Sequence, residues 1–512
     1  MSRVVHVIGG GPAGLLSAQL LARDHPAWEV VVHERLAPDE TFGFGVGLTR
    51  ALLGALRDEV PALHDDLVAD SASFSAAVFR LPAGRVELPS FHAGAIGRAR
   101  LLQRLIEHAQ RAGVDVRIGS TPSLDDLTAI SDLVIGADGV SSTTREQLAV
   151  ELGASEQVGR GLFIWCGAEV ELEGTVFMPV QTADGWFVAH AYPYGEGHST
   201  FVIETDAESL RRAGCRTERF AQDGESDESS LEYLSGAFAE LLGGGRFLGN
   251  RSRFMNFRTV RCERWFHKQV LLIGDAVATA HPTLGSGTKL ALEAAISLAR
   301  TLRTVDSEPP ASRLAAYEQA ERPQIERLQD RARRSQLWWE SFPSRMSLSP
   351  ARIAFAYMSR AGAVSLEQLC EAAPGLAEQA ITDFAGLRPA PASEEFAEWV
   401  LGRPLRVNGY ALPGRLLRDR DPDVKLWVDL SDPWGPEAQP VMEQIAADQH
   451  VGDRIVGLYG GRSRGELLDR LALGERLRSE LGAVIAVSCE HDQLPDAVDG
   501  LVAGRADLIE VQ

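Results

Sequence analysis

Val4-Val-His-Val-Ile-Gly-Gly-Gly-Pro-Ala-Gly14, followed at once by Leu15-Leu-Ser-Ala-Gln-Leu-Leu21, is the stretch that decides how this chain folds. A short apolar run, a glycine turn and a helical pattern succeed one another without a spacer, and Val30 to His33 reads as a second strand. Gly9 permits the tight turn, Gly11 lets the backbone approach a pyrophosphate, and Gly14 allows the helix to pack closely on the strand. The helix opens at Pro12 and Ala13, and its free N–H groups are suited to holding phosphates. Glu34 ends the second strand where a carboxylate can accept hydrogen bonds from ribose hydroxyls, and Arg35 follows it. These residues predict a dinucleotide site without separating FAD from NAD.

Outward from this stretch the pattern stays α/β. Arg98 to Ala112 reads as a helix and Leu133 to Ile135 as a further strand, an alternation that makes a parallel sheet. From Gly161 to Glu204 the segments Leu162–Trp165, Trp186–Ala191 and Thr200–Glu204 are short, β-branched or aromatic, and separated by Gly, Asp and Pro, as in an antiparallel layer. Val270 to Ile273 returns to a buried strand, Gly287 to Leu302 reads as a long helix, and helices dominate to about Ala385. A Pro- and Ala-rich stretch from Gly386 reads as a linker. Beyond it Lys425–Leu430 and Ala483–Ser488 read as strands, with helices at Arg464–Leu481 and Leu494–Ala503. The expected domains are 1–160 for the first part of a dinucleotide-binding domain, 161–262 for a β-sheet substrate domain, 263–385 for the second part of the dinucleotide-binding domain and helices, 386–402 for the linker and 403–512 for a small α/β unit.

Composition narrows the function. A chain of 512 residues with 45% hydrophobic and 24% charged residues is an ordinary globular protein of two or three domains. Its net charge of -20 argues against nucleic acid or an anionic membrane as partner, so an anionic ligand needs a local basic patch. Lysine is confined to Lys268, Lys289 and Lys425; arginine supplies the other cations. Five scattered cysteines with no CxxC suit a reducing compartment and offer neither a disulfide framework nor a zinc site. The strand begins too early for a signal peptide, and no run of about 18 apolar residues is present, so a cytoplasmic protein is expected.

Two more strand ends carry glycine and acid together: Ile135-Gly-Ala-Asp138-Gly139 and Leu272-Ile-Gly274-Asp275-Ala276. The second leads into His281-Pro282-Thr-Leu-Gly285-Ser286-Gly287-Thr288-Lys289, where glycines before a helix place bare N–H groups and a positive dipole end beside an anion. With Gly9–Gly14, this trio resembles the group A flavoprotein monooxygenases, which share the fold of 4-hydroxybenzoate hydroxylase. The resemblance implies an α/β fold with a Rossmann-like FAD-binding sheet of the GR2 type, an antiparallel β substrate domain, a helical segment and a small C-terminal α/β domain. It implies that Asp275 bonds the ribityl chain of FAD, that Asp138 and Gly139 serve FAD and nicotinamide binding, and that Arg98 lies near the flavin pyrophosphate. Pro282 falls on the proline beside the oxygen-reaction face of the ring, and Gly285 to Thr288 would face the anionic N1–C2 carbonyl locus of reduced flavin. Ala278 stands where the family often has His.

Further patches resemble the aryl-CoA hydroxylases, salicylyl-CoA 5-hydroxylase and anthraniloyl-CoA monooxygenase, and the tryptophan hydroxylase of violacein synthesis. They are Thr41-Phe-Gly-Phe-Gly-Val-Gly-Leu, Phe163-Ile-Trp-Cys-Gly, Phe187-Val-Ala-His-Ala-Tyr-Pro-Tyr, Ser199-Thr-Phe-Val-Ile-Glu, Gly285-Ser-Gly-Thr-Lys-Leu-Ala and Ser335-Gln-Leu-Trp-Trp-Glu. This likeness covers about residues 1–385; aryl-CoA members usually have Phe at the place of Pro282. In the tail, Pro404-Leu-Arg-Val-Asn-Gly and Ala503-Gly-Arg-Ala-Asp-Leu-Ile resemble the first and last pieces of an old-yellow-enzyme barrel. A full α/β barrel needs at least about 200 residues, so a packing or homodimer-forming remnant is expected.

The resemblance implies hydroxylation of an aromatic or conjugated ring, carried as a CoA thioester, by a C4a-hydroperoxide formed from reduced FAD and O2, with NADPH or NADH as transient reductant. Thioester cleavage or decarboxylation could accompany attack at the substituted carbon. Hydroxylation of a free indole or polyketide-like ring is the alternative, and a flavin-dependent halogenase or a non-catalytic flavoprotein is the reading from another class. The halogenase motif and its early lysine are missing. His190 and Tyr192 share one strand face by period two, as pocket-lining residues would, though a packed core explains them equally well. His281 with Pro282 is expected on the substrate side of the flavin loop, where a base could activate a phenol or aniline. The series Arg327, Arg331, Arg333, Arg334 reads as a solvated helix face, with the phosphates of coenzyme A as the sharper alternative. Trp338 and Trp339 read as core.

Overall fold

The computed structural model describes residues 3–37, 40–90, 92–195, 197–217, 225–285, 287–304, 310–387, 396–417, 424–429, 438–447 and 455–512. Ser286 and residues 388–395 of the expected linker lie outside them. The chain divides into two compact units, one of Met1–Arg80 with Pro89–Ala332, the other of Leu81–Leu88 with Arg333–Gln512. Residues 333–385, grouped by sequence with the dinucleotide domain, therefore fall in the second unit. Their apolar positions pack among the helices Pro350–Ser359, Leu366–Ala372 and Pro374–Ala385 and on the helix Leu494–Ala503.

The first unit is built on a six-stranded sheet. Val4–Ile8 lies at its heart, parallel to Glu29–Glu34 on one side and to Leu133–Gly136 on the other. Asp115–Ile118 extends one edge in parallel, and Val270–Leu272 the other. Val5, Val7, Val31 and Val32 have no exposed surface, as strands covered on both faces require. The helices Pro12–Asp24, Arg98–Arg111 and Gly287–Thr304 follow from the stretches that predict them.

The antiparallel layer of this unit centres on the long strand Ala154–Ala168, which pairs with His198–Thr205 and Met255–Cys262. Trp186–Gly195 pairs with both His198–Thr205 and Thr175–Gln181. Along Trp186–Gly195 the side chains alternate: Phe187, Ala189 and Ala191 enter the core beneath the sheet with Ile164, Phe201 and Ile203, leaving His190 and Tyr192 on the opposite face. A small sheet of Gly45–Thr49, His92–Gly97 and Ala72–Ser73 completes the unit.

In the second unit a five-stranded, wholly parallel sheet takes Val424–Asp429, Ile455–Tyr459, Val484–Cys489 and Leu508–Val511 in sequence order. Its earliest strand, Leu416–Leu417, pairs with its last. First strand beside last strand is one of the pairings a closed barrel makes, here within a sheet of five strands rather than eight. Among the described residues no pairing joins Leu416–Leu417 to Val424–Asp429. No described helix is long and apolar enough to cross a membrane.

Candidate active site

Register brings four strand tips to one edge of the first sheet. Ile8 lies opposite His33 and Gly136, and Gly136 opposite Leu272, so Gly9, Glu34, Ala137 and Ile273 leave the sheet side by side. Ligands of parallel sheets bind beyond this carboxyl edge. The turn after Val4–Ile8 depends on glycine. Gly9 has φ +105°, and a Cβ there would stand 2.4 Å from the Ala137 carbonyl oxygen; one at Gly14 would stand 2.1 Å from the Gly9 oxygen. Gly274 packs so closely that its Cβ would meet that of Ala13 at 3.1 Å. By contrast, a Cβ on Gly11 would meet nothing within 4 Å. Gly11 also precedes the helix at Pro12 without a side-chain cap, so the helix start faces open space with its N–H groups available to an anion.

The acids behave differently from one another. Glu34 accepts from the Gly10 N–H at 2.6 Å and the Leu36 N–H at 2.7 Å, which shapes the two loops at the expected ribose position; Arg35 beside it is exposed. Asp138 is a capping group: it accepts from Ser142 Oγ at 2.5 Å and from the Thr144 N–H and Oγ1 at 3.0 Å. Gly139 follows with φ +80° and open space around it. Asp275 and Arg98 are recessed, keeping some accessible surface while the surrounding protein desolvates them. Burial pushes the Asp275 carboxyl up to about 6, and the Arg98 guanidinium draws it partly back. Burial lowers the Arg98 guanidinium in turn, opposed by Asp275. A hydroxyl-rich ligand chain donating to Asp275 would restore its charge.

Arg98 also donates through Nε to Thr41 Oγ1 at 3.1 Å, and its N–H to the Phe44 carbonyl at 2.7 Å. Asn250 clamps the same loop, donating to the carbonyls of Thr41 at 2.7 Å and Gly43 at 3.1 Å. The alternating glycines of this segment have one physical reason. A Cβ on Gly43 would meet the Trp165 ring at 2.4 Å, one on Gly45 the Tyr194 side chain at 2.7 Å, and one on Gly47 the His92 ring at 2.5 Å. The sequence patches that resemble one another across a family thus interlock ring against glycine.

Gly285 closes the short turn Pro282–Leu284 in the left-handed region, at φ +61°, and Gly287 and Thr288 start an 18-residue helix. Gly287 is open to 4 Å, like Gly11. Tyr192 reaches this neighbourhood: its ring stacks on His92 at 5.7 Å and on Phe74 at 6.2 Å, with His190 edge-on at 6.2 Å. The Tyr192 hydroxyl donates to the Gly45 carbonyl at 3.3 Å, and burial raises its pKa, so the phenol holds its proton. That favours packing over a base. His281 is buried against Phe257 at 5.0 Å, edge to face, on the strand Met255–Cys262.

Two residues of the site carried no sequence signal. Arg145 donates to the Ala276 carbonyl at 2.9 Å and the Val140 carbonyl at 2.6 Å, tying the Asp138 and Asp275 loops together. His92, the other, sits where a Cβ of Gly285 would meet its Nε2 at 2.8 Å. Lys289 pairs with Glu293 at 2.6 Å. The arginine series does not share one face: Arg327 and Arg331 are exposed, whereas Arg334 is buried on Asp469 at 2.6 Å. Trp338 and Trp339 are core.

Comparison with known proteins agrees with this geometry. The profile of the FAD binding domain family matches residues 109–332. A salicyloyl-CoA 5-hydroxylase of Streptomyces sp is 35% identical over 99% of both chains. A 3-hydroxy-4-methyl-anthranilyl-[aryl-carrier protein] 5-monooxygenase of Streptosporangium sibiricum is 35% identical over 66% of this chain and 89% of its own. The crystal structure of a 2-methyl-3-hydroxypyridine-5-carboxylic acid oxygenase mutant superposes with a TM-score of 0.54 at 21% identity, over 70% of this chain and 96% of its own. The uncapped helix start at Gly11, the open glycines and the recessed Asp275 fit the dinucleotide flavin of such proteins.

Proposed function

The chain belongs to the FAD-dependent aromatic hydroxylases, and from that premise we propose that its substrate is a hydroxyl- or amino-substituted aromatic acid presented as its CoA thioester. One observation carries this reading: the likeness to the salicyloyl-CoA hydroxylase runs through both units, tail included, whereas the likeness to the carrier-protein enzyme spans only part of the chain. Bound FAD supplies the redox chemistry, taking reducing equivalents from NADPH or NADH and activating O2.

The protein's own residues hold and shield. The helix start at Gly11, together with Arg98, would hold the pyrophosphate; Glu34 would shape the ribose position, and Asp275 would accept from the ribityl hydroxyls. Gly285, Gly287 and Thr288 would turn N–H groups and a helix dipole toward the ring's developing negative charge. Tyr192, His190, His281 and Pro282 would wall the substrate side and exclude water.

Stopped-flow oxidation of NADPH and of NADH across paired aryl acids and aryl-CoA thioesters tests the reading. Thioesters such as salicyloyl-CoA are expected to accelerate oxidation of the nicotinamide at least about tenfold over the free acids, since binding energy from a remote handle is spent on the reacting end. Acceleration by free acids alone would discard the thioester and leave the free-ring alternative.

A further inference from the structure

The strand His92–Gly97 aims one polar ring with unusual care. Leu48 lies opposite Gly94, but Thr49 lies opposite His92, so Ala93 is an extra residue in the pairing. A bulge of this kind bends its strand and re-aims a side chain. The His92 N–H is held by Ser90 Oγ at 3.2 Å. Two glycines clear the space the ring takes: a Cβ at Gly47 would stand 2.7 Å from Nε2, and one at Gly285 2.8 Å from the same atom. Nε2 therefore abuts the turn that leads into the helix Gly287–Thr304, while the ring lies against Tyr192 at 5.7 Å and Phe74 at 6.5 Å.

Both neighbours meet the imidazole ring against ring, and the Tyr192 hydroxyl gives its own proton to the Gly45 carbonyl. His92 is 8% exposed, and burial is the sole cause that lowers its pKa, with no charged group acting on it. A neutral imidazole offers one lone pair as a hydrogen-bond acceptor.

Resting on the aromatic-hydroxylase reading, we infer that His92 is a specificity-determining residue, accepting the hydrogen bond of the substrate's ring hydroxyl or amino group beside the flavin turn. The proton stays on the substrate heteroatom; the hydrogen bond polarises the O–H or N–H and so enriches the ring in electrons.

The test compares dissociation constants of salicyloyl-CoA and 2-methoxybenzoyl-CoA, read from the flavin absorbance of the oxidised holoenzyme. The hydroxyl compound is expected to bind about tenfold tighter to the parent, the worth of one net hydrogen bond. In His92→Phe, which keeps a ring but no acceptor, the ratio should fall to about one while flavin content is unchanged. A ratio preserved in that variant, or absent in the parent, overturns the inference. Should His92→Phe emerge without flavin, His92→Leu is read in the same way. If the parent binds neither thioester, the CoA reading fails, and salicylate and 2-methoxybenzoate replace the pair. Binding of neither acid then overturns the role of His92 as well.

Discussion

Replacing Gly9 with alanine is expected to give a protein that is purified nearly free of flavin and melts well below its parent. Two costs add. The residue at 9 has φ +105°, which side chains rarely adopt, and the new Cβ would stand 2.4 Å from the Ala137 oxygen and 2.6 Å from its carbonyl carbon. Both neighbours are backbone and cannot rotate away, so the Asp138 strand tip must shift against the first. Strain and overpacking together cost on the order of 3 kcal/mol, or about a hundredfold in an equilibrium constant. Gly11→Ala separates fold from ligand. Its Cβ would meet nothing within 4 Å, so stability should change by at most about 1 kcal/mol, the worth of a helix cap, while flavin affinity falls. Thermal melts with flavin absorbance check both. Equal flavin retention in Gly9→Ala and the parent would mean that this turn is not where the dinucleotide lies.

Arg345→Ala should damage the second unit at least as severely. Arg345 and Glu475 pair at 2.6 Å with side chains only 4% and 7% exposed. The guanidinium also donates to the Trp338 carbonyl at 3.0 Å and lies 4.8 Å over the Trp338 ring. Truncation leaves Glu475 with Arg505 alone, at 3.5 Å, and breaking such a buried pair costs about 3–5 kcal/mol because a charge is stranded. Urea unfolding followed through tryptophan fluorescence should show a markedly earlier transition, as Trp338 and Trp339 both lie in this unit. A change below about 1 kcal/mol would mean that the pair is solvated and carries little.

The strand tips at Asp138 and Asp275 were legible because each joins an apolar run of strand length to glycine and acid, the tip at Gly9 because a glycine turn opens a helix directly after the strand, and the parallel register does the rest. The helices Arg464–Leu481 and Leu494–Ala503 coincide with their expected spans, where Ser463 caps the first and Gly504 ends the second. What escaped was set by contacts between distant segments. His92 looks like any histidine in a strand; only the unpaired Ala93 and the bare Gly285 give its ring a direction. Arg145 acts through two carbonyls that no spacing connects. Arg334 sits in a row of arginines whose solvated reading holds for Arg327 and Arg331 but fails where Asp469 rises to meet it. The boundary after Ala332 was hidden for a related reason: it falls inside the helix Pro310–Glu340, where no glycine or proline marks it. Asp138 kept its place at the sheet edge but spends its carboxylate on the turn that follows.

The most direct measurement is the uptake of FAD by the apoprotein, followed by flavin absorbance as the dinucleotide is titrated in. One FAD per chain is expected, bound more weakly as the pH falls through about 6 and Asp275 takes up its proton. A protein that stays colourless at every pH would contradict the claim that these strand ends enclose a single flavin.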